Sequence, residues 1–297
     1  MRMLPGRLML LAALGSLPAP AAAVNLVPNG NFESYTGCPT SFSQLSVAVP
    51  WIAPTAGTSD YLNACAPNVF PSVNVPQNEQ GYEPALSGSG YAGIIPRSAA
   101  ADYREYIEAP LSAPLVANTP YLVRFNVSLA DDSNLAIDRL GAYLSVGPVG
   151  PVPNYAALPY TPQVESPANT FLTNANGWTL VSATIVASGG EDHIVIGNFH
   201  DDANTATVAG PGQWPGGAYY YVDDVSVEVA TPTDQACCLP NGSCAVMLPG
   251  ECKLAGGAPG GPGSTCTPSP CGPTKLRKSS WGTVKTMYRR GAGSPPT

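Results

Sequence analysis

One stretch of the chain places a carboxylate inside an otherwise apolar strand. Residues 218–229 are rich in aromatic and β-branched side chains, a composition typical of a β-strand. Successive side chains of a strand point to opposite faces, so the apolar row on one face predicts a core face that includes Asp223. That face comprises Tyr219, Tyr221, Asp223, Val225, Val227 and Val229. A buried carboxylate is costly unless it is paired, hydrogen-bonded or bound to a metal.

Glu33 is the candidate partner of Asp223. It follows a turn signal at Asn29 and Gly30 near the predicted mature start. In a jelly-roll sandwich the first and last strands can lie side by side, which would bring the two carboxylates together. Carboxylates and backbone carbonyls are the ligands that Ca²⁺ prefers. The alternative is that Asp223 accepts backbone N–H bonds and Glu33 is simply exposed.

Two acidic loops offer a second set of oxygen ligands. If they lie at the same end of the sandwich, they could hold another cation or bind sugar hydroxyls. Neither has the spacing of an EF-hand loop. The favoured reading is therefore two polar turns whose Asp and Asn side chains bond their own backbone. Their residues are Asp131, Asp132, Ser133, Asn134, Asp201, Asp202, Ala203 and Asn204.

Aromatic side chains are the third candidates, because sugars stack on flat rings. Trp214 lies in a Gly- and Pro-rich loop and is predicted to be the exposed ring, whereas Trp51 and Trp178 are predicted core residues. Catalysis has little support. The chain has two histidines, His193 and His200, and neither lies in a nucleophile or metalloprotease motif.

The elements that must position these residues are short strands. The chain contains 31 Gly and 33 Pro, and only 11% of its residues are charged, a composition typical of an all-β protein with many turns. Residues 120–129 alternate strictly between apolar and polar side chains, and eight to ten such stretches predict a two-sheet sandwich.

Charge is distributed unevenly along the chain. Residues 24–230 carry four arginines against eighteen acidic residues, a net charge of −14, while residues 231–297 carry +5. A body this acidic repels phosphate backbones, so nucleic acid is not an expected partner. The first 23 residues have a basic start, a short apolar core and a small-residue cleavage site, which predicts an export signal and an extracellular or cell-surface location. No stretch is long enough to predict a membrane span.

Eight cysteines in a chain with an export signal predict disulfides. Two of them, Cys38 and Cys65, lie alone in the body and are predicted to pair. The other six allow fifteen connectivities, among which the sequence does not choose. These six are Cys237, Cys238, Cys244, Cys252, Cys266 and Cys271.

Two segments carry a family resemblance. Residues 25–33, Asn-Leu-Val-Pro-Asn-Gly-Asn-Phe-Glu, and residues 220–227, Tyr-Tyr-Val-Asp-Asp-Val-Ser-Val, resemble the bracketing strands of galactose-binding-like jelly rolls, a fold shared by many carbohydrate-binding modules. In that family the Glu of the first motif and an Asp of the last often bind a structural Ca²⁺. The resemblance implies this role for Glu33 and Asp223, with Asp224 as the substitute if the predicted facing is off by one.

Several inner segments resemble a narrower group. They are residues 38–39, 49–51, 57–65, 90–93, 104–107 and 196–199. These segments are similar to bacterial surface proteins in which such a domain often precedes an OmpA-type peptidoglycan-anchoring domain. This chain has no such domain, so the resemblance does not imply cell-wall anchoring. Residues 236–271 are similar to cysteine-rich repeats of secreted bacterial proteins, and residues 280–289 to a C-terminal tail on some exported proteins.

The sequence therefore predicts five segments. They are a signal peptide (1–23), a jelly-roll sandwich (24–230), a linker (231–235), a disulfide-rich module (236–273) and a basic tail (274–297). The predicted function is non-catalytic binding of a glycan or another surface polymer, with structural calcium. The alternatives are a structural or adhesive protein that binds other proteins and, more distantly, a glycan hydrolase.

Overall fold

A computed structural model describes residues 24–230, 235–261, 264–266 and 269–271. The chain divides into two compact units, Met1–Ala230 and Thr231–Thr297, and each is described by itself. The predicted signal peptide, residues 231–234 of the predicted linker and the predicted tail lie outside the described residues. No helix in the part that the structure describes has the length and apolar character needed to cross a membrane.

The first unit is built from thirteen described strands and two 3₁₀ turns, Leu45–Val47 and Asp202–Asn204. The strands are β1 (Asp60–Asn63), β2 (Gln77–Asn78), β3 (Gly81–Tyr82), β4 (Gly90–Ser98), β5 (Tyr106–Pro110), β6 (Pro120–Leu129), β7 (Leu135–Ile137), β8 (Gly141–Ser145), β9 (Val164–Glu165), β10 (Thr179–Val186), β11 (His193–Gly197), β12 (Thr207–Ala209) and β13 (Gly217–Val229).

Two antiparallel sheets form the predicted jelly-roll sandwich. One has the strand order β1-β4-β13-β6-β10, and the other has the order β5-β11-β8-β9. Side chains from both sheets share one core, for example Phe125 and Val222 from the first sheet and Ile107, Leu144 and Ile196 from the second. The all-β, two-sheet prediction is confirmed.

Strand β6 shows why alternation was a reliable signal. Tyr121, Val123, Phe125 and Val127 are buried, and the side chains between them are half-buried. The strand pairs with β13 on one side and β10 on the other, so its backbone is bonded along both edges. One apolar row packed between the sheets is sufficient to fix its facing.

The predicted facing of β13 is wrong in its first half. Tyr220 and Val222 enter the core between the sheets, whereas Tyr219 and Tyr221 belong to a second cluster on the opposite face of the same sheet. The register with β6 shifts between Asp223 and Ser226, and Asp224 has a φ of 48°. One extra residue at this β-bulge reverses the alternation, so Val225 and Val227 return to the main core.

The start and the end of the first unit are neighbours, as the jelly roll requires. The Leu26 N–H donates to Val227 O (2.8 Å), and the Val225 N–H donates to Gly30 O (2.8 Å). Residues 24–34 form bends and turns rather than the expected strand. Their conformation includes a positive φ at Phe32 (57°), which a regular strand does not contain.

The second cluster is covered by the long irregular segment after β1. Residues 64–88 fold over Leu62, Tyr91 and Tyr221, and this outer face of the sheet is therefore buried as well. The predicted Cys38–Cys65 disulfide is present and ties the start of this segment to an earlier loop. Trp51 is 1% exposed, as predicted for a core residue, and donates its Nε1–H to Asn29 O (2.9 Å).

The second unit is a small disulfide-held module. Its elements are β14 (Gln235–Cys238), β15 (Cys244–Met247), α1 (Pro249–Leu254) and β16 (Ala258–Pro259), with sheet order β15-β14-β16. Its disulfides are Cys237–Cys252, Cys238–Cys271 and Cys244–Cys266. These three pairs answer the connectivity that the sequence left open.

Candidate functional site

The carboxylate of Asp223 holds a loop that connects β3 to β4. Asp223 is 0% exposed. Its Oδ2 accepts the N–H groups of Leu86 (2.9 Å) and Ser87 (3.2 Å), and its Oδ1 accepts the N–H of Asp224 (2.7 Å). Desolvation by burial raises its pKa to about 8 despite these donors. Asp223 therefore accepts backbone N–H bonds, as one of the two possibilities noted for this residue expects.

Glu33 reaches the same loop from the chain start. Its Oε1 accepts the N–H groups of Ser89 (2.7 Å) and Gly90 (2.9 Å). Gly88 lies between the two anchors with a φ of 66°, and a Cβ there would meet Glu33 Cδ at 2.2 Å. Glu33 and Asp223 thus converge on residues 86–90, which we call the anchored loop.

The anchored loop lies beside carboxylate oxygens, which are the type of ligand that the calcium prediction requires. Asp224, the predicted substitute ligand, accepts the Ser87 hydroxyl (2.6 Å) beside the buried Asp223. A cation there would offset the desolvation of Asp223. Within the residues that the structure describes, no group of three or more His, Cys, Asp or Glu side chains is arranged to hold a metal ion. Calcium at Glu33, Asp223 and Asp224 therefore stays a prediction.

The acidic loop at 201–204 folds on itself and on two arginines. Asp201 caps the 3₁₀ turn by accepting the N–H and the Nδ2–H of Asn204 (2.9 and 2.7 Å). Asp202 accepts Arg104 Nη2 (2.8 Å) and lies 3.2 Å from Arg97 Nε. The side chains of this loop are thus engaged in holding the fold, and the favoured reading of polar turns applies to it.

The acidic loop at 131–134 is separated from the loop at 201–204. It precedes β7 and the other precedes β12, and these two strands pair antiparallel, so the loops lie at opposite ends of one ribbon. This placement favours the reading of two separate polar turns over one site shared by the two loops. Asp131 Oδ2 accepts the Tyr82 N–H (2.7 Å), which positions β3. Asp132 is exposed, and its N–H donates to Gln80 O (3.1 Å).

Asp132 and Trp214 meet at a cleft on the outer face of the five-stranded sheet. The cleft has a volume of about 380 Å³. Its rings are Phe42, Trp214 and Tyr219, and its acids are Asp60, Glu79, Glu105 and Asp132. Thr58, Gln80 and Ile95 complete the lining. We call this hollow the acidic cleft.

Trp214 is held at the acidic cleft by its own backbone. Its N–H donates to Asp132 O (2.8 Å), and its ring lies edge-on to Tyr219 with centroids 6.4 Å apart. The ring also covers Gly216, where an added Cβ would fall 2.0 Å from it. Trp214 is therefore half-buried rather than the freely exposed ring that the sequence predicts. Phe70, which the sequence analysis did not single out, is 85% exposed.

The floor of the cleft carries two buried carboxyl groups. Asp60 is 4% exposed and accepts the Ser43 N–H (2.5 Å) and the Tyr219 hydroxyl (2.7 Å). Burial, and then the charge of Glu105, raise the pKa of Asp60 to about 8. Desolvation also raises the pKa of Glu105, although the hydroxyls of Thr58 (2.9 Å) and Tyr103 (2.7 Å) donate to it.

The rim of the cleft is polar and includes an unsatisfied atom. Glu79 and Asp132 are exposed, whereas Gln80, which follows Glu79 and accepts the Asp132 N–H at its carbonyl, is only 7% exposed. Among the described residues, Gln80 Oε1 has no hydrogen-bond partner. Buried polar atoms are almost always bonded, so Gln80 Oε1 is an exception among the described polar atoms of the cleft lining.

Most residues of the acidic cleft carry no signal in the sequence. Asp60 opens β1 and Glu105 precedes β5, and both fall in segments that carried the family resemblance. No local pattern distinguishes them from surface acids. Their proximity arises only when β1 and β4 pair and the segment before β5 returns to Ile95, whose N–H donates to Glu105 Oε2 (2.8 Å).

A larger polar groove lies beside the chain start. Its volume is about 530 Å³, and Asn25, Asn29, Arg124 and Glu228 contribute to its walls. Asn25 bonds β13 and Asn29 bonds Ser34 and Val49, so these amides hold the chain start in place. In the part of the chain that the structure describes, no aromatic ring lines the groove. The acidic cleft therefore remains the better candidate for ligand binding.

Comparison with known proteins leaves the family open. No protein-family model and no curated protein matches the chain. A Stig cyclase from Fischerella sp. TAU aligns with a TM-score of 0.44 and 12% identity over 70% of this chain and 98% of that chain. The CBM22-1 xylan-binding domain of Paenibacillus barcinonensis Xyn10C aligns with a TM-score of 0.34 and 11% identity over 66% and 99%.

An adhesin domain also aligns with this chain. The K1 cleaved adhesin domain of Lys-gingipain from Porphyromonas gingivalis W83 aligns with a TM-score of 0.33 and 15% identity over 68% of this chain and 96% of that chain. Scores at this level carry no argument about ligand or activity, so the fold assignment rests on the strand pairing itself. The resemblance to the OmpA-associated subgroup and to a cysteine-rich repeat stays a prediction.

Proposed function

We propose that this protein is an exported, non-catalytic binding module whose acidic cleft takes a glycan or a similar surface polymer. Three features of the acidic cleft support this most directly: the Trp214 ring, the exposed carboxylates of Glu79 and Asp132, and Gln80, whose Oε1 has no partner among the described residues. A sugar offers a flat apolar face to a ring and hydroxyl donors to acceptors, so the chemistry is complementary.

The cleft is also of a suitable size and construction. A volume of about 380 Å³ lies at the lower end of the range for small-molecule sites, which is roughly 300–1,000 Å³. Trp214 is fixed by its backbone bond to Asp132 and by the Tyr219 ring, so little side-chain entropy is lost when a ligand stacks on it.

A glycan array tests the proposal. We expect the purified chain to bind a subset of glycans and Trp214→Ala to lose that binding. Phe70→Ala is the matched control, because it removes an exposed ring that does not line the acidic cleft. Binding that is lost equally in both variants, or in neither, would refute the assignment of the cleft. Absence of any glycan binding would favour the protein-binding alternative.

One surface feature supports that alternative. Val69 is 55% exposed and Phe70 is 85% exposed, and together they form an apolar tip on the segment after β1. An adhesive protein that binds other proteins would use such a tip. In that case Phe70→Ala, rather than Trp214→Ala, would reduce binding to the partner. For the hydrolase alternative, release of reducing sugar from the bound glycans would be the deciding result.

We also propose that the anchored loop binds a structural Ca²⁺ through Glu33 and Asp223, with Asp224 as a further ligand. The support is the convergence of carboxylates from the chain start and from β13 on residues 86–90. The expected result is a lower melting temperature in chelator, with the difference lost in Glu33→Ala and Asp223→Ala. A melting temperature that chelator leaves unchanged in the wild type would contradict calcium binding.

The proposed location outside the cell rests on the predicted signal peptide and on the disulfides. The described cysteines form four disulfides and leave none free. Disulfides of this density persist in oxidising compartments. N-terminal sequencing of the secreted chain should begin close to Val24.

A further inference from the structure

The acidic cleft presents hydrogen-bond acceptors and negative charge. Asp60, Glu79, Glu105 and Asp132 all line it, and among the described residues no Lys, Arg or His does. The two floor acids are already bonded within the protein, whereas the carboxylates of Glu79 and Asp132 are exposed at the rim. A ligand that enters this cleft therefore meets the negative charge of the two exposed rim carboxylates, Glu79 and Asp132.

A second observation indicates what the ligand must offer. Gln80 is 7% exposed and its Oε1 has no partner among the described residues, although it lines the cleft. An unpaired buried acceptor lowers stability until a donor reaches it. The ligand should therefore bring an N–H or O–H group to Gln80, in the cleft that Glu79 and Asp132 also line.

The aromatic rings of the cleft also indicate which chemical group the ligand carries. Trp214 and Phe42 lie in the same lining as the carboxylates. A cation close to the face of a tryptophan ring is attracted by the ring quadrupole. An ammonium group supplies three donors and no acceptor, so it satisfies the carboxylates, the Gln80 oxygen and the ring together. An N-acetyl group instead brings a carbonyl acceptor towards the carboxylates.

We propose that the acidic cleft binds a sugar that carries a free amine, so that the glycan of the proposed function is an amino-sugar polymer rather than a neutral or acidic one. This inference rests on the proposed function and specifies its ligand. The ammonium group lies between Glu79 and Asp132 and donates to Gln80 Oε1, while the sugar ring stacks on Trp214. Uronic acids and sulfated sugars are excluded by the same negative field.

The test compares two oligosaccharides that differ only in acetylation. Calorimetric titration of the full chain uses β-1,4-linked glucosamine hexamer and its N-acetylated counterpart at one pH and two salt concentrations. We expect the glucosamine hexamer to bind at least 10-fold more tightly, and this preference to decrease at high salt. Glu79→Gln combined with Asp132→Asn should remove most of the preference, because it removes the two rim charges that attract the ammonium group. Both side chains are exposed and are replaced by amides of the same shape, so the fold should be unaffected.

Two further variants make the result specific. Gln80→Leu should weaken the glucosamine hexamer several-fold, because it removes the free acceptor. Glu228→Gln removes one negative charge outside the cleft, beside Arg124, and should leave the preference unchanged. Equal or tighter binding of the acetylated hexamer, lost in Trp214→Ala, would overturn the amine inference and leave glycan binding intact. Binding of neither hexamer would overturn the inference, and the glycan array would then decide the proposed function.

Discussion

Replacing Asp60 with asparagine should change how stability depends on pH. Asp60 is 4% exposed on the floor of the acidic cleft, and burial raises its pKa from 3.8 to about 8. The folded state therefore keeps a proton at pH values where the unfolded chain has released it. Stability from this group is greatest below pH 4 and decreases as the pH rises towards 8.

The size of the stability change follows from the gap between the pKa values of Asp60 in the unfolded and folded states. Each pH unit between the unfolded and folded pKa values lowers the free energy of unfolding by about 1.4 kcal/mol. Between pH 5 and pH 7 the wild type should thus lose roughly 2–3 kcal/mol through Asp60 alone. Asp60→Asn keeps an acceptor for the Ser43 N–H and a partner for the Tyr219 hydroxyl, and it does not titrate.

Urea unfolding at pH 5, 6 and 7, followed by tryptophan fluorescence, measures the difference. We expect the two proteins to be of similar stability at pH 5 and the variant to be the more stable at pH 7. Glu105 contributes a decrease of the same sign in both proteins, so only the difference between the curves is diagnostic. Parallel curves for wild type and variant would refute the reasoning, because they would show that Asp60 titrates alike in the folded and unfolded states.

Two further predictions concern buried anchors of the fold. Arg104→Ala should lower the free energy of unfolding by about 3–5 kcal/mol. Arg104 is fully buried, and it donates to Asp202 Oδ1 (2.8 Å) and to His200 O (3.1 Å). A decrease below about 1 kcal/mol in urea unfolding would show instead that Arg104 and Asp202 act as a surface ion pair. Gly88→Ala should lower the melting temperature and speed hydrogen exchange at residues 86–90, because the new Cβ would lie 2.2 Å from Glu33 Cδ. Unchanged exchange at these residues would contradict the role of Glu33 as an anchor of the loop.

The sequence predicted those parts of the fold that depend on local pattern. Strand β6 was recognised from its alternation, and Cys38 and Cys65 were paired because they lie alone in the body. Glu33 and Asp223 were expected to share a cation; both bond the anchored loop, and the shared cation stays a prediction. For the strand and the disulfide, a local pattern or a count of residues allowed only one simple assignment.

The remainder depended on features that no local pattern encodes. The bulge beside Asp224 reversed the facing of β13, and alternation cannot reveal an extra residue. Asp60 and Glu105 read as ordinary surface acids because the sheet pairing that buries them joins distant segments. Trp214 was recognised as a candidate ring, but its packing on Tyr219 depends on a strand thirteen residues long that supplies the floor beneath it.

Indole resonances give the most direct test of the acidic cleft. The chain contains four tryptophans, so a ¹⁵N-labelled sample has few indole N–H signals to assign, and Trp214→Phe identifies the one of interest. On titration with the best array hit, the account predicts that the Trp214 signal shifts saturably while the signals of the buried Trp51 and of Trp178 stay in place. Saturable binding that leaves the Trp214 signal unmoved would contradict the assignment of the acidic cleft as the binding site.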